Sequence, residues 1–429
     1  MPAFDGLAPF DLLRQLDWFA WLAMFWYMIL LEIPRYTFSF IAVAATQTVG
    51  TDQHPANYLP DHLRISVVIA GHNEAATMRK CLQSLAEQTR KADEIIAVDD
   101  GSTDGMREVL NELRRNGVID VTLCNDVRCG KAAACNLGMN VATGDIIINV
   151  DADCSYDRTA IEKLIETFSD PRVGAACGNI GVRNVSESIV ASYQAIEYAI
   201  SISLGKRALD SLEWVTCASG AFAAFRSEAL RQVGMNVPGP GEDLDMTMRL
   251  RRSGWKIRFV GDSWCMTDVP ATLAALVRQR RRWDRDALRI RLRKFRDMFT
   301  STRGRFRTRD VIEQTEFVLL NLVVTLVFPL YIAWLFFVFG SSAWILLAAV
   351  GLIYVALDTV AFALAVFVSR RHDFRTVIGL LPYVATYGLF NGYVMRWVRI
   401  WAYFEEWVLR QSYKDSYVPQ RVLNISDYY

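Results

Sequence analysis

The stretch DIIINVDADC (145–154) decides the fold, because an apolar strand runs directly into two carboxylates. Residues 145–150 are rich in β-branched side chains, and Asp151 and Asp153 follow at once. Side chains two positions apart on an extended chain point to the same side, so both carboxylates can face one ion. Carboxylate oxygens suit Mg²⁺ or Mn²⁺, which usually take phosphate oxygens as well. This end of the strand is therefore a candidate metal and phosphate site.

Three similar β-branched runs precede this strand and alternate with segments of helical length. The runs cover 65–70, 94–98 and 118–124, and the segments that follow them cover 74–88, 104–116 and 130–142. Strands that alternate with helices predict an α/β domain with a parallel sheet and helices on both faces. We place this domain at residues 62–266.

The first two runs also end in polar residues, and in an open α/β sheet ligands bind beyond the carboxyl ends of the strands. Asn73 and Glu74 follow the first run, and Asp99 and Asp100 end the second. Such side chains can read the imide and the ribose hydroxyls of a nucleotide, although Asp-Asp-Gly-Ser is equally typical of a plain turn. Lys131 opens a helix, where it either meets a diphosphate or lies exposed.

Two later motifs extend the candidate site. Gly220, after Ser219, permits close approach of the backbone to a ligand. Glu242 and Asp243 open a segment that is typical of a helix ending at Gly254. Acids at this position either belong to the site or only stabilise the helix dipole.

Long apolar segments flank the domain and predict membrane helices. One covers about 18–45 within residues 1–61, and three cover 316–339, 343–368 and 376–395 within residues 313–429. The flank before the first segment is acidic, which argues against a cleaved signal peptide.

The topology follows from the short loop between the last two apolar segments. This loop holds Arg370, Arg371, His372 and Arg375. The positive-inside rule places the loop and the α/β domain in the cytoplasm of a multi-pass inner-membrane protein. An interfacial helix over 397–410 is an alternative end to the last segment.

The net charge of +1 conceals a strongly basic stretch. Residues 278–309 hold 14 Lys and Arg against three Asp, a charge of +11, which leaves −10 for the rest of the chain. Apolar residues recur at helical spacing in this stretch: Leu288, Leu292, Phe295 and Phe299. This pattern predicts basic amphipathic helices at the bilayer interface, within 267–312. The arginines lack interleaved aromatic platforms, which argues against nucleic acid as a ligand.

Taken in order, the motifs resemble the processive, inverting family 2 glycosyltransferases, such as the cellulose, chitin-oligosaccharide, hyaluronan and poly-N-acetylglucosamine synthases. The resemblance runs from about His62 to Trp283. It rests on an ordered set: Asn73-Glu74, Asp99-Asp100-Gly101, Asp151-Ala152-Asp153, Ser219-Gly220, Glu242-Asp243 and Gln279…Arg282-Trp283. It implies a GT-A (nucleotide-diphospho-sugar transferase) domain beside an α-helical transmembrane region. In the number of membrane helices, one before the domain and three after it, the chain is most similar to the poly-N-acetylglucosamine and chitin-oligosaccharide synthases.

The resemblance also implies roles for the motif residues. Asp99 and Asp100 would bind uridine, and Asp151 and Asp153 would hold the diphosphate with Mg²⁺ or Mn²⁺. Asp243, beside Glu242, would be the general base. Trp283 would stack on the acceptor sugar. The implied nucleotide-sugar set is Asn73, Glu74, Asp99, Asp100, Lys131, Asp151, Gln279 and Arg282, and the implied acceptor set is Ser219, Gly220 and Trp283.

We therefore expect a metal-dependent, membrane-embedded enzyme that extends a β-linked polysaccharide with inversion. UDP-N-acetylglucosamine or UDP-glucose is the expected donor, and accessory subunits could export the growing polysaccharide. A non-processive family 2 enzyme that adds one sugar to a lipid-linked acceptor is the alternative. An inactive scaffolding subunit is disfavoured, because every acid of the ordered set is present.

Overall fold

The computed structural model describes residues 18–37, 40–41, 63–237, 239–299, 306–369, 374–414 and 418–425. Most of the predicted N-terminal helix beyond residue 37 and its connector therefore lie outside the described residues, as do Arg370, Arg371 and His372 of the predicted cytoplasmic loop.

An eight-stranded mixed sheet forms the centre of the α/β domain. Its strands are β1 (Ile65–Gly71), β2 (Glu94–Asp100), β3 (Val121–Asn125), β4 (Ile146–Asp151), β5 (Ser155–Tyr156), β6 (Val173–Val182), β7 (Phe222–Arg226) and β8 (Lys256–Thr267). Their order is β3-β2-β1-β4-β7-β6-β8-β5. The first four strands are parallel, as predicted. The sheet as a whole is mixed and not parallel as predicted, because β7 runs antiparallel to β4 and β6, and β5 runs antiparallel to β8.

The register of the parallel strands brings their acidic ends together. Gly71 at the end of β1 pairs with Asp99 of β2, and Ala70 pairs with Asp151 of β4. Parallel strands end at one edge of the sheet, so this edge carries the carboxylates of β2 and β4 side by side.

Helices cover both faces of the sheet and flank it in the sequence. They are α1 (Trp18–Tyr27), α2 (Ala75–Ala86), α3 (Met106–Arg115), α4 (Lys131–Val141), α5 (Ala160–Glu166), α6 (Ile189–Glu197), α7 (Gly205–Ser211), α8 (Ser227–Val233), α9 (Glu242–Arg252), α10 (Leu273–Leu288), α11 (Thr308–Glu316), α12 (Val324–Phe339), α13 (Ala343–Val368), α14 (Phe374–Leu389), α15 (Arg396–Trp407) and α16 (Gln420–Ile425).

Alternate residues of β1 enter different cores, as expected for a strand that is buried on both faces. Val67 and Ile69 pack in one core with Met78 of α2. Val68 packs in the opposite core with Leu250 of α9. The predicted arrangement of helices on both faces is confirmed.

Two helical segments, Thr308–Val368 and Arg375–Trp407, are long and apolar enough, by length and composition, to cross a membrane. Gly340, with a φ of +53°, separates α12 from α13 within the first segment, which thus contains two of the predicted helices. Tyr27 of α1 lies in the same apolar cluster as Phe328 of α12 and Leu346 of α13. The N-terminal helix therefore packs against the C-terminal helical region.

Leu288 and Phe295 of the predicted stripe are buried inside the protein, so these two side chains do not face a bilayer, and the interfacial position of the helices stays a prediction. Leu288 packs with Leu322 and Tyr403, and Phe295 packs with Met248. A stripe at helical spacing fits a protein core as well as a bilayer surface, so the sequence pattern alone did not distinguish them.

The charge of the basic stretch is also compensated within the protein. Seven of its residues form ion pairs with carboxylates from other segments: Arg280–Glu197, Arg281–Glu405, Arg285–Glu405, Arg291–Glu313, Arg293–Glu406, Lys294–Asp245 and Arg309–Glu213. Much of the charge asymmetry between the two parts of the sequence is thus an internal pairing of acids with bases.

Candidate active site

A cavity of about 730 Å³ opens beyond the carboxyl edge of the sheet. Ten of the sequence-predicted site residues line it: Lys131, Asp151, Asp153, Ser219, Gly220, Glu242, Asp243, Gln279, Arg282 and Trp283. Its other walls include helix α7 and residues 313–321. Residues as far apart in the sequence as Lys131 and Trp283 thus share one cavity.

Asp151 ends β4 at the bottom of this cavity and pairs with Lys131. The Lys131 ammonium lies 2.5 Å from Asp151 Oδ1, and both side chains are about three-quarters buried. Gly130, with a φ of +88°, precedes Lys131 and turns the chain into α4. Burial raises the pKa of Asp151, and the neighbouring ammonium opposes this shift. Lys131 is therefore a partner of the metal-candidate carboxylate and not an exposed residue at a helix start.

Asp151, Asp153 and Glu74 lie near one another at this edge of the sheet. Burial, together with the charges of Asp153 and Asp151, raises the pKa of Glu74 to about 8. Among the described residues, no group of three or more His, Cys, Asp or Glu is arranged to hold a metal ion on its own. Two carboxylates in an electronegative site fit Mg²⁺ or Mn²⁺ whose remaining ligands are phosphate oxygens or water.

The ends of β1 and β2, beside β4 at the same edge of the sheet, carry three further predicted site residues. Asp99 has one oxygen without a hydrogen bond, and Asp100 and Asn73 hold loops in place. Asp99 is buried, and its Oδ2 accepts no hydrogen bond from the described residues, although Arg107 Nε lies 3.9 Å away. Asp100 is fully engaged: its oxygens accept from the backbone N–H groups of Cys129 and Gly130, each at 2.7 Å, and from Asn125. Asp99 thus keeps one buried oxygen without a hydrogen bond from the described residues, whereas Asp100 fixes the loop that leads to Lys131.

Asn73 likewise acts on a loop. Its side-chain oxygen accepts from the N–H of Thr103 at 2.8 Å, and its own N–H donates to Ser102 Oγ at 2.9 Å. It adopts a φ of +59°, which is uncommon for a residue with a side chain. These bonds tie the end of β1 to the turn after β2. Asn73, Glu74, Asp99 and Asp100 are not among the residues that line the large cavity.

Asp243 occupies the first turn of α9 and faces the loop before β7. Its Oδ2 accepts from the Gly220 N–H at 3.2 Å, and its Oδ1 accepts from the Leu244 N–H at 2.8 Å. Glu242 precedes it, and burial and the charge of Asp243 raise the pKa of Glu242 above its ordinary value. Two acids at one helix start are thus distinguished by their surroundings: Asp243 is held by two backbone donors, and Glu242 is driven toward its neutral form.

One face of α10 lines the cavity opposite α9. Gln279, Arg282, Trp283 and Asp286 follow helical spacing and all contribute to the wall. The Gln279 Oε1 atom is buried and has no hydrogen-bond partner within the described residues. Trp283 is 42 % exposed. This face therefore presents an unsatisfied amide, a guanidinium and an aromatic ring to the cavity.

Lys206 is a site residue that the sequence did not reveal. Its ammonium donates to Ser219 Oγ at 2.5 Å and to the Cys217 carbonyl at 3.0 Å, and it lines the cavity. The surrounding residues of α7 form no motif, because the lysine acts through a loop that is distant in sequence. Lys206 fixes the position of the Ser219-Gly220 backbone that contacts Asp243.

Comparisons with known proteins give matches that cover the α/β domain. Residues 66–234 match the family model of Glycosyl transferase family 2. The poly-beta-1,6-N-acetyl-D-glucosamine synthases of Staphylococcus aureus (strain COL) and Staphylococcus epidermidis are each 33% identical to the chain, over 233 and 236 residues, which is 54% of this chain. The chain spans about half, 56%, of the length of these relatives. The resemblance to family 2 glycosyltransferases, and among them to poly-N-acetylglucosamine synthases, is confirmed.

A solved structure is similar over nearly all of its length. It is a mannosyltransferase from Pyrobaculum calidifontis in complex with GDP-Man and Mn²⁺, with a TM-score of 0.58 and 20% identity. The match covers 86% of this chain and 99% of the other. The predicted fold class is therefore confirmed: a GT-A-like domain with a mixed sheet, followed by a helical C-terminal region.

Proposed function

We propose that this protein is an inverting glycosyltransferase that transfers sugar from a UDP-sugar to a growing β-linked polysaccharide at a membrane. The observation that carries the proposal is the single cavity that joins Asp151 and Asp153, Asp243, and the α10 face with Gln279, Arg282 and Trp283. The reaction needs a site for the donor diphosphate, a proton acceptor and a platform for the acceptor sugar. Each of these three groups can supply one of them.

The proposed reaction is one displacement. Asp243 takes the proton from an acceptor hydroxyl, the hydroxyl oxygen bonds to the anomeric carbon, and the bond from that carbon to the diphosphate oxygen breaks. UDP leaves with the electron pair. Attack from the side opposite the leaving group inverts the anomeric centre, so an α-linked donor gives a β-linked product.

The chain's own residues account for the charge that develops on the leaving group. Arg282 supplies a guanidinium at the cavity wall, and Asp151 and Asp153 would hold a divalent metal ion. A metal ion bound there would neutralise charge on the diphosphate. Lys131 holds the Asp151 carboxylate in place, and Asp99, one of whose oxygens accepts no hydrogen bond from the described residues, is the proposed partner of the base or the ribose of the nucleotide. The Pyrobaculum relative, which holds GDP-Man with Mn²⁺, supports a nucleotide sugar and a divalent ion.

An aspartate is a weak base, so its placement has to supply much of the rate. The N–H groups of Gly220 and Leu244 orient the Asp243 carboxylate, and Lys206 fixes the Gly220 loop through Ser219. Trp283 would place the acceptor sugar against Asp243 by stacking. A ring that retains the chain end after each transfer also favours repeated extension, which is the reason to propose a processive enzyme.

The proposed sugar is N-acetylglucosamine, with glucose as the second choice. The 33% sequence identity to two poly-beta-1,6-N-acetyl-D-glucosamine synthases supports N-acetylglucosamine. The two candidate spans support a multi-pass protein of the inner (plasma) membrane with its α/β domain in the cytoplasm, and subunits that export the polymer are further proposed partners.

The test is a panel of labelled UDP-sugars offered to membranes that contain the full chain, with Mg²⁺ or Mn²⁺, followed by sizing and linkage analysis. We expect a ladder of β-linked products from UDP-N-acetylglucosamine. A single added sugar on lipid would establish the non-processive alternative. Absence of incorporation from every UDP-sugar would overturn the donor assignment.

A further inference from the structure

Arg280 lies beside the cavity-lining face of α10 and is almost fully buried. Its side chain is 7% exposed. Its Nη2 donates to Glu197 Oε2 at 2.8 Å, and its guanidinium carbon lies 4.3 Å from the centroid of the Trp283 ring. Its Nε has no hydrogen-bond partner among the described residues. Burial of an arginine is costly, and these two contacts, together with the nearby Tyr198 and Asp284, offset that cost.

The contact with Trp283 is a cation–π interaction. The guanidinium covers one face of the indole, and Tyr198, the residue after Glu197, lies on another side of Arg280 with its ring centroid 5.9 Å away. Arg280 therefore connects the end of α6 to the ring of Trp283.

Trp283 would have room to move without this contact. It lines the large cavity and also a second cavity of about 250 Å³, whose wall includes Glu197 and Arg280. Space on both sides allows the indole to rotate about its side-chain bonds. A cation fixed against one face removes that freedom.

We infer that Glu197 and Arg280 are positioning residues for Trp283: Glu197 holds Arg280, and Arg280 holds the indole so that its other face meets the acceptor sugar. This inference rests on the proposed function, in which Trp283 is the acceptor platform. Neither residue touches the reacting atoms. Their effect is to keep the chain end in register with Asp243 between successive transfers.

A merely structural role is the competing explanation, since the same ion pair connects α6 with α10. Arg281 supplies the matched control, because it also lies on α10 and pairs with a mostly buried carboxylate, Glu405. That pair connects α10 with α15 and does not involve Trp283. If Arg280 positions the ring, loss of the ion pair with Glu197 should release the Trp283 ring, whereas loss of the ion pair with Glu405 should not.

The first measurement needs no substrate: hydroxyl-radical footprinting with mass spectrometry on the full chain in detergent. Trp283 is 42% exposed, so release of the ring can raise its oxidation rate by about twofold. We expect this rise in Arg280→Ala, a smaller one in Glu197→Gln and none in Glu405→Gln. Partial rescue is expected in Arg280→Lys, which keeps a cation near the ring. An unchanged Trp283 in Arg280→Ala would overturn the inference.

The second measurement sizes products made in membranes. Glu197→Gln and Arg280→Ala should shorten the products several-fold and leave the KM for the UDP-sugar unchanged. In a Trp283→Ala background the same substitutions should have no further effect, because their action passes through the ring. Equal shortening with and without Trp283 would overturn the inference. If the wild type makes no product, the proposed function fails, and the footprinting result alone decides the placement of the ring.

Discussion

Asp243→Asn separates the role of Asp243 as a base from its role in the fold. Asparagine has nearly the same volume but cannot take a proton at this position. Asp243 accepts hydrogen bonds from the N–H groups of Gly220 and Leu244, and an amide has one acceptor oxygen. One bond is therefore lost, which costs about 1–2 kcal/mol of unfolding free energy. Loss of a general base costs about 10²- to 10⁴-fold in rate, or about 3–5 kcal/mol in the barrier.

The assay is the initial rate of sugar incorporation from the UDP-sugar by membranes that contain equal amounts of protein. Thermal unfolding of the solubilised chain measures the structural cost in parallel. A variant that unfolds like the wild type and keeps more than a tenth of its rate would refute the assignment of Asp243 as the base.

Glu242→Gln is the matched control, because Glu242 is adjacent in sequence and differs in protonation. Burial and the charge of Asp243 raise the pKa of Glu242, so the carboxyl carries its proton over a wider range of pH, and glutamine imitates that neutral form. We expect less than a tenfold loss of rate near pH 6 and a greater loss toward about pH 8.5, where the wild-type carboxyl ionises. The loss in Asp243→Asn should be large at both values.

Three further predictions concern the surroundings of the site. Lys131→Met removes the ammonium that lies 2.5 Å from Asp151, so the carboxylate is free to bind a metal ion. Half-maximal activation of sugar transfer should then need about two- to fivefold less Mn²⁺ while kcat falls, and a higher activation midpoint in a Mn²⁺ titration would contradict this. Gly220→Ala places a methyl group 3.4 Å from Lys131 Nζ and 3.7 Å from Asp243 Oδ2, ordinary contact distances, so the unfolding temperature should hold while the narrowed cavity lowers the rate about tenfold. The effect of burial on Glu94 is outweighed by hydrogen bonds from Ser66 and Thr143, which lower the pKa of Glu94. Glu94→Gln should therefore cost about 1–2 kcal/mol of unfolding free energy at neutral pH, and the difference from wild type should shrink as pH falls through the lowered pKa. Thermal unfolding across pH measures this difference.

Local sequence signals predicted the parallel half of the sheet and its acidic edge. β-branched runs such as 65–70, bounded by turn residues, are a local signal that favours strands, and Asp99 and Asp151 stand at the ends of two of them. The different roles of the carboxylates at this edge could not be predicted from the sequence. Asp99 and Asp100 are adjacent in sequence, yet only the folded loop at 128–130 shows that Asp100 is already occupied.

Long-range pairing limited the rest of the prediction. The stripe at 288–299 has one pattern for a bilayer and for a protein core, and its true neighbours, such as Met248 and Tyr403, lie far away in the sequence. Lys206 gave no signal for the same reason. The direction of β7 depends on the connection before it, which composition does not encode.

Ion pairs join α15 to α10 and to the residues that directly follow α10, and they bear on how this protein can be divided into fragments. Arg281 and Arg293 reach Glu405 and Glu406, which are almost fully inaccessible to solvent. Truncation before residue 374 would remove both carboxylates and leave Arg281 and Arg293 without these buried partners. The α/β domain and the C-terminal helical region are therefore joined by buried charge, and a fragment that ends before residue 374 would differ in its packing from the full chain.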